Sequence, residues 1–339
     1  MKHILVIRLS ALGDVALLAP LMHQYSQANA DLRFTVAGPP LLEPLFSGMS
    51  NVTYLGLKKR QSFIKIYKAL LSVGADTVID LHKVNRVGFA LTLLRLRHLF
   101  NFSFRIYALR KGRLSRWLFL HHLCIQPRRR QYERYQDVFS RAGIAGASSV
   151  PLLAQTNGTP SIGIAPFAQH PGKVWPWPQV QQLVALLSEK GYRVLLFGSA
   201  TEAPQLQDLA NSLPNVESVA GQYPFAKELE IIASLGLMVS MDSANMHFAS
   251  ALGIPVVSIW GATHPDFGFY GYGQDRANAL CAGLPCQPCS AFGNKPCRYG
   301  DHRCLQTISP EAVVARIKSI ISLTPIPPLL KARGNGLTL

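Results

Sequence analysis

The chain has 339 residues, 48% hydrophobic and 15% charged, which excludes an intrinsically disordered protein and is long for a single core, so two domains of ordinary size are expected. Lys and Arg number 34 against 18 Asp and Glu, a formal net charge of +16, which points to polyanionic partners: nucleic acid, an anionic membrane face or phosphorylated substrates. No uninterrupted apolar run reaches the roughly 18 residues of a membrane-spanning helix.

Residues 3–9 are apolar and β-branched and read as a buried strand, followed by a turn at 10–13 and a helix over 15–27. Arg8 and Asp14 interrupt the apolar run, so no signal peptide is read and a cytoplasmic protein is expected. Residues 32–38 form a second strand, and Pro39 and Pro40 open the next helix. A strand at 52–55, a helix at 63–73, a strand at 77–81 and an apolar helix at 84–96 follow. Ala, Ser, Gly, Thr and Pro dominate 145–160, which puts a linker at 155–160. The alternation then restarts: strand 161–166, helix 178–190, strand 193–197, helix 202–212, and strands 238–241 and 255–260 flanking a helix at 244–252. A helix at 310–323 closes the pattern, and Pro325, Pro327 and Pro328 begin a tail expected to be disordered. The expected fold class is α/β, two doubly wound domains at 1–155 and 156–322 with a tail at 323–339. Ligands of such sheets bind beyond the carboxyl ends of the strands, here in a cleft between the domains.

Several stretches carry candidate chemistry. Ser10-Ala11-Leu12-Gly13-Asp14 follows the first strand. Gly13 permits a tight turn, and Asp14 reads either as a helix N-cap or as a general base at the cleft. No G-x-G-x-x-G accompanies it, so dinucleotide binding is unsupported there. Asp242 follows the strand at 238–241, and Ser243, Ala244, Asn245, Met246 and His247 make the first turn of the next helix. Free N–H groups and the helix dipole suit a phosphate at that turn, and Asp242 suits sugar hydroxyls; the alternative is a capping Asp with a core His. Lys173 follows the first strand of the second domain and reads as a phosphate-reaching point charge or as a solvated surface Lys. Between Lys83 and Arg134 there are 13 Lys/Arg and one acid, Glu133. That face suits an anionic membrane as well as nucleic acid, and no helix-turn-helix, zinc-finger or RNP-type signature favours the latter. Cys281, Cys286, Cys289, Cys297 and Cys304 crowd one segment; an odd number argues against a complete disulfide framework, and the spacing leaves reduced thiols, disulfides and a structural zinc open.

Together these motifs resemble glycosyltransferase family 9, the bacterial heptosyltransferases of lipopolysaccharide assembly. The stretch from Ile4 to Val15 looks like the family's N-terminal motif, and Lys173-Val174-Trp175-Pro176 is similar to its K-x-W-P element. The run from Asp242 to Gly253 looks like its D-S-G-x-x-H-x-A-x-A-L-G signature, with Ala244 where many members have Gly. The loop from Trp260 to Pro265, which carries Thr263, resembles its F-G-x-T-x-P loop. The resemblance implies a GT-B fold and inverting transfer of a heptose or related sugar from an ADP-sugar donor, without a metal or other cofactor. It implies an anionic lipid-linked inner-core acceptor met at the inner face of the inner membrane. Carried over by position, Asp14 is the base. The donor set is Lys173, Asp242, Ser243 to His247 and Thr263, and the acceptor set is Ser10, Gly13, Lys83, Arg86, Arg105 and Arg134. Two rival readings are a nucleotide-sugar epimerase of the same architecture and a basic RNA-binding α/β module.

Overall fold

The structure is a computed structural model and describes residues 1–58, 61–101, 103–110, 112–123, 126–146 and 161–321. The expected linker at 155–160, the tail and Cys124 lie outside the described residues.

The first half builds β1 (His3–Ile7), α1 (Leu12–Ala16), α2 (Leu18–Ala28), β2 (Arg33–Gly38), β3 (Val52–Gly56), α3 (Phe63–Val73), β4 (Thr77–Asp80), α4 (Asn85–Arg97), β5 (Arg105–Ala108), α5 (Arg113–Leu120) and α6 (Gln131–Arg141). Its five strands run β3-β2-β1-β4-β5, all parallel. The second half builds β6 (Ser161–Ala165), α7 (Trp177–Glu189), β7 (Arg193–Leu196), α8 (Ala203–Asn211), β8 (Val216–Ser218), α9 (Phe225–Ala233), β9 (Leu237–Met241), α10 (Ala244–Ala251), β10 (Val256–Trp260), β11 (Ala279–Cys281), α11 (Arg303–Gln306) and α12 (Pro310–Ile321). Its six strands run β11-β10-β9-β6-β7-β8, again all parallel.

The strand periodicity of two sorts the core. Ile4 and Val6 of β1 face one cluster, while Leu5 and Ile7 face another that also holds Val87, Ala90 and Leu94 of α4. The first cluster does not stop at the lobe boundary. It continues from Leu17 and Tyr135 to Met246, Phe248 and Trp260, so the two lobes share buried apolar side chains. Each sheet has one place where the strand order reverses, between β1 and β4 in the first and between β6 and β9 in the second. Those are the points where loops diverge and leave room for a ligand.

Two local expectations are corrected. The helix expected over 15–27 is two helices, α1 and α2, meeting at Leu17. Pro20 lacks the N–H that would bond the carbonyl of Ala16, so the helix breaks one turn before it. The helix opened by Pro39 and Pro40 is a 3₁₀ helix, Pro40–Phe46, because Pro44 inside it cannot donate back to Pro40.

Candidate active site

β1 ends at Ile7, and the chain turns through Ser10 and Ala11 into α1. Asp14 is the third residue of that short helix. Its carboxylate is ion-paired with the Arg8 guanidinium and also receives the Ala11 N–H at 3.4 Å. Arg8 donates as well to the carbonyl of Leu81, just past β4, so the pair sits where β1 and β4 both end. Burial opposes the Arg8 charge, but Asp14, Tyr135 and Asp80 outweigh it and the guanidinium pKa is raised. The Tyr135 hydroxyl donates to the Asp14 carbonyl at 3.2 Å, and burial pushes its own pKa up. These bonds orient the carboxylate and anchor the backbone that carries it.

Gly13 presses α1 directly onto α10. A Cβ there would lie 2.2 Å from Cδ2 of His247, so a glycine is the residue that allows the approach. His247 is buried, and among the described residues its Nδ1 has no hydrogen-bond partner. Burial lowers its pKa, with Asp242 and Asp14 pulling it back and Lys173 adding to the fall.

The second wall follows from the pairing of β6 with β9, which makes the loops after them neighbours. The loop after β6 supplies Lys173, and the loop after β9 supplies Asp242. Lys173 Nζ lies 2.7 Å from the Asp242 carboxylate, which also accepts the Thr263 hydroxyl at 2.8 Å. Gly172 keeps the lysine in place. Its carbonyl receives the Ala262 N–H at 2.7 Å, and a Cβ on it would lie 2.8 Å from the carbonyl oxygen of Gly293. The cysteine-rich segment thus forms the floor beneath Lys173. Asp242 is therefore no helix cap. Ser243 holds the N-cap position of α10 without a side-chain cap, its hydroxyl turned to Ser240 at 3.1 Å, so the first-turn N–H groups have no capping side chain.

Between these walls lies a cavity of about 550 Å³. Gly13 and Asp14 line it from the first lobe; Lys173, Asp242, Ser243, Ala244, Asn245 and His247 line it from the second. Met246 and Thr263 are not on its surface: Met246 is packed in the shared core, and Thr263 stands behind Asp242. The lining also includes residues that sequence reasoning missed. Glu228 lines it with its pKa raised by burial, and Glu202 accepts the Ser199 N–H at 2.7 Å. Glu228 lies on α9, a helix not assigned from the sequence, and Glu202 holds the N-cap position of α8. Arg8 was within the N-terminal motif, but only the fold reveals that it faces Asp14.

The acceptor residues expected from sequence do not form one surface. Ser10 and Gly13 adjoin Asp14 in the turn. Arg134, on α6, bonds the carbonyl of Arg110 and the Gln131 side chain at 3.0 Å. It lines a second cavity, about 560 Å³, together with Arg110, Arg128, Arg129 and Arg141. There burial, with Arg134 and Arg116 nearby, lowers the Arg128 pKa to about 10. Lys83 and Arg86 are exposed at the start of α4 and line neither cavity. Arg105 opens β5 in register with Thr77, the first residue of β4, and so lies at the sheet edge opposite Asp14. A count of cations along the chain carries no information on which end of a strand they occupy.

Among the described residues, no three His, Cys, Asp or Glu side chains converge as a metal site. Cys281, Cys286, Cys289, Cys297 and Cys304 are free thiols. Among the described residues no helix is long and apolar enough to cross a membrane.

The family model for glycosyltransferase family 9 (heptosyltransferase) matches residues 64–299. Lipooligosaccharide heptosyltransferase 2 of Haemophilus influenzae is 32% identical over 114 residues, 32% of this chain and 33% of that protein. Lipopolysaccharide heptosyltransferase 2 of Salmonella typhimurium is 29% identical over 169 residues, 48% of this chain and 47% of that protein. These alignments therefore span between a third and half of the relatives' length. The solved structure of E. coli ADP-heptose lps heptosyltransferase II superposes with a TM-score of 0.67 at 20% identity, covering 95% of this chain and 99% of that one. The two parallel sheets match that GT-B architecture.

Proposed function

The chain belongs to glycosyltransferase family 9, the heptosyltransferases, and from that membership we propose that it moves a heptose from an ADP-sugar donor onto an anionic, lipid-linked inner-core acceptor of lipopolysaccharide. The donor class is supported by the structural neighbour described as an ADP-heptose enzyme. The acceptor class is supported by the relatives named as lipopolysaccharide and lipooligosaccharide heptosyltransferases. The division of labour follows the sequence expectation: residues 1–155 take the acceptor and 156–322 the donor.

The observation that carries the reading is the cavity itself, with a carboxylate on one wall and an uncapped helix N-terminus beside a lysine on the other. The donor diphosphate lies against the first turn of α10, where N–H groups and the helix dipole favour negative charge. Lys173 turns toward it and offsets the charge that grows on the leaving group, while Asp242 exchanges part of its lysine contact for donor sugar hydroxyls. Asp14, held by Arg8, faces the anomeric carbon from the opposite wall. It takes the proton of the acceptor hydroxyl as that oxygen attacks and the nucleoside diphosphate departs on the far side, so the configuration inverts. The arginines around Arg134 receive an anionic group of the acceptor. Docked lobes keep water from competing for the donor.

The test is a turnover screen of ADP-, GDP- and UDP-sugars with and without a core oligosaccharide acceptor, read by mass and by the anomeric configuration of the product. An inverted glycoside formed from the ADP-sugar, dependent on acceptor, is expected. A changed sugar nucleotide without acceptor makes the protein an epimerase instead, and tight RNA binding with no sugar-nucleotide turnover makes it an RNA-binding module.

A further inference from the structure

α4 is apolar on two sides. Val87, Ala90, Leu91 and Leu94 face inward and are buried. Phe89, Leu93 and Leu96 face outward at 64%, 38% and 59% exposure, and Phe100, just past the helix end, is 88% exposed. Positions 89, 93, 96 and 100 are one helical stripe, about 16 Å long at the usual rise per residue. At the start of α3, Phe63 and Ile64 extend it; both are exposed, and the Phe63 and Phe89 rings are 6.5 Å apart. A helix with apolar residues on its outer side normally meets a partner there.

The charges around the stripe say which partner. From Lys58 to Arg105 the chain carries ten Lys/Arg against two acids, Asp76 and Asp80. Both acids accept backbone N–H groups, Asp76 that of His3 at 2.8 Å and Asp80 those of His82 and Lys83 at 2.9 and 2.8 Å. Lys65, Lys68, Arg86, Arg95 and Arg97 are exposed on α3 and α4. A second copy of this chain would set cations against cations across a two-fold axis. RNA would use the cations and leave the aliphatic side chains without a role. An anionic phospholipid surface uses both, since acyl chains receive the apolar side chains while head groups meet the cations.

We propose that the outer face of α4, with the start of α3, docks on an anionic bilayer through Phe63, Phe89, Leu93, Leu96 and Phe100, with Arg95 and Arg97 on the head groups. This rests on the reading of the acceptor as lipid-linked and gives that reading a geometry. α4 begins just past the C-terminal edge of β4, the edge that carries the Arg8–Asp14 pair, and runs back toward the edge where β5 begins, so Phe89 is the end of the stripe nearer the cavity and Phe100 the end farther from it.

The test is co-sedimentation of the full chain with phosphatidylcholine vesicles, with and without phosphatidylglycerol. The wild type should bind only the phosphatidylglycerol vesicles, and salt should weaken binding. The triple variant Phe89→Ser, Leu93→Ser, Leu96→Ser should lower partitioning by about tenfold or more. The pair Arg95→Glu, Arg97→Glu should lower it comparably, since each reversal places an acid at an anionic surface. Both variants should keep wild-type nucleoside diphosphate affinity by calorimetry, since none of the five positions lines the cavity. Unchanged vesicle binding in both variants overturns the proposal. So does a wild type that ignores vesicles, or one that forms a dimer or an RNA complex which the triple variant abolishes. If vesicles bind as expected but no sugar is transferred, the surface stands and the transferase reading fails. If a delipidated acceptor is glycosylated while vesicles are ignored, the surface alone fails.

Discussion

Asp14→Asn separates the proton-accepting role of this side chain from its structural one. The amide oxygen keeps the shape of the carboxylate and still accepts from Arg8 and from the Ala11 N–H. What disappears is the negative charge, in a pair whose side chains are 11% and 18% exposed. Breaking a buried ion pair outright costs about 3–5 kcal/mol, but here the Asn oxygen and the Leu81 carbonyl continue to satisfy the guanidinium, so the stability loss should be about 1–3 kcal/mol. Losing a general base costs about 10²–10⁴-fold in kcat, equivalent to about 3–5 kcal/mol of barrier. The two losses are read separately, the first by urea denaturation and the second by product formation at saturating donor and acceptor. Because the diphosphate is held from the opposite wall, donor affinity by calorimetry should stay within about twofold of wild type. A folded Asp14→Asn protein with kcat within about fivefold of wild type would refute the base assignment.

Lys173→Ala removes the cation and leaves Asp242, only 7% exposed, with Thr263 as its remaining partner. Nucleoside diphosphate affinity should fall about 10–100-fold by calorimetry, and adding Asp242→Asn should recover part of it, because an uncompensated acid no longer faces the phosphates. Gly13→Ala drives a methyl group to 2.2 Å from the His247 ring. The overpacking should cost about 1–3 kcal/mol in urea denaturation and lower kcat by shifting α1, whereas a wild-type variant would mean the lobes part freely at this contact. Burial holds the His247 imidazole below its ordinary value of 6.5, so the unfolded chain takes up a proton that the folded chain refuses. Stability should therefore drop as pH falls through 6.5, by up to about 1.4 kcal/mol per pH unit for this group, until the folded ring also protonates. His247→Gln should flatten that slope in urea midpoints taken between about pH 7.5 and 5.5, and an unchanged slope would assign it to His3 and His264, whose values burial also lowers.

The alternation of strands and helices was readable because buried parallel strands are short apolar runs, as in Leu5 to Ile7 and Leu237 to Val239. The stretch from β5 to α6 was not assigned, although Gln131, Tyr135, Val138 and Phe139 of α6 are all buried with helical spacing. The dense cations of that stretch mask its helical periodicity. Site residues lying within one motif were legible by type: Asp14 beside Gly13, and Asp242 before the α10 turn. Relations between motifs were not. Lys173 meets Asp242 because β6 pairs with β9, a choice of strand order that neither segment encodes by itself. For the same reason the sequence groups Arg105 with the cleft although β5 puts it at the far edge, and gives no sign that Arg8 holds Asp14.

The claim on which the rest depends is that a carboxylate of the first lobe faces a phosphate-holding helix tip of the second. A crystal structure of the full chain with a nucleoside diphosphate tests it most directly. The account predicts phosphate oxygens within hydrogen-bond distance of the backbone N–H groups of Ala244 to Met246, Lys173 Nζ turned toward them, and open space between the terminal phosphate and Asp14. Phosphates lodged among Arg110, Arg128 and Arg134, with the turn of α10 untouched, would contradict it.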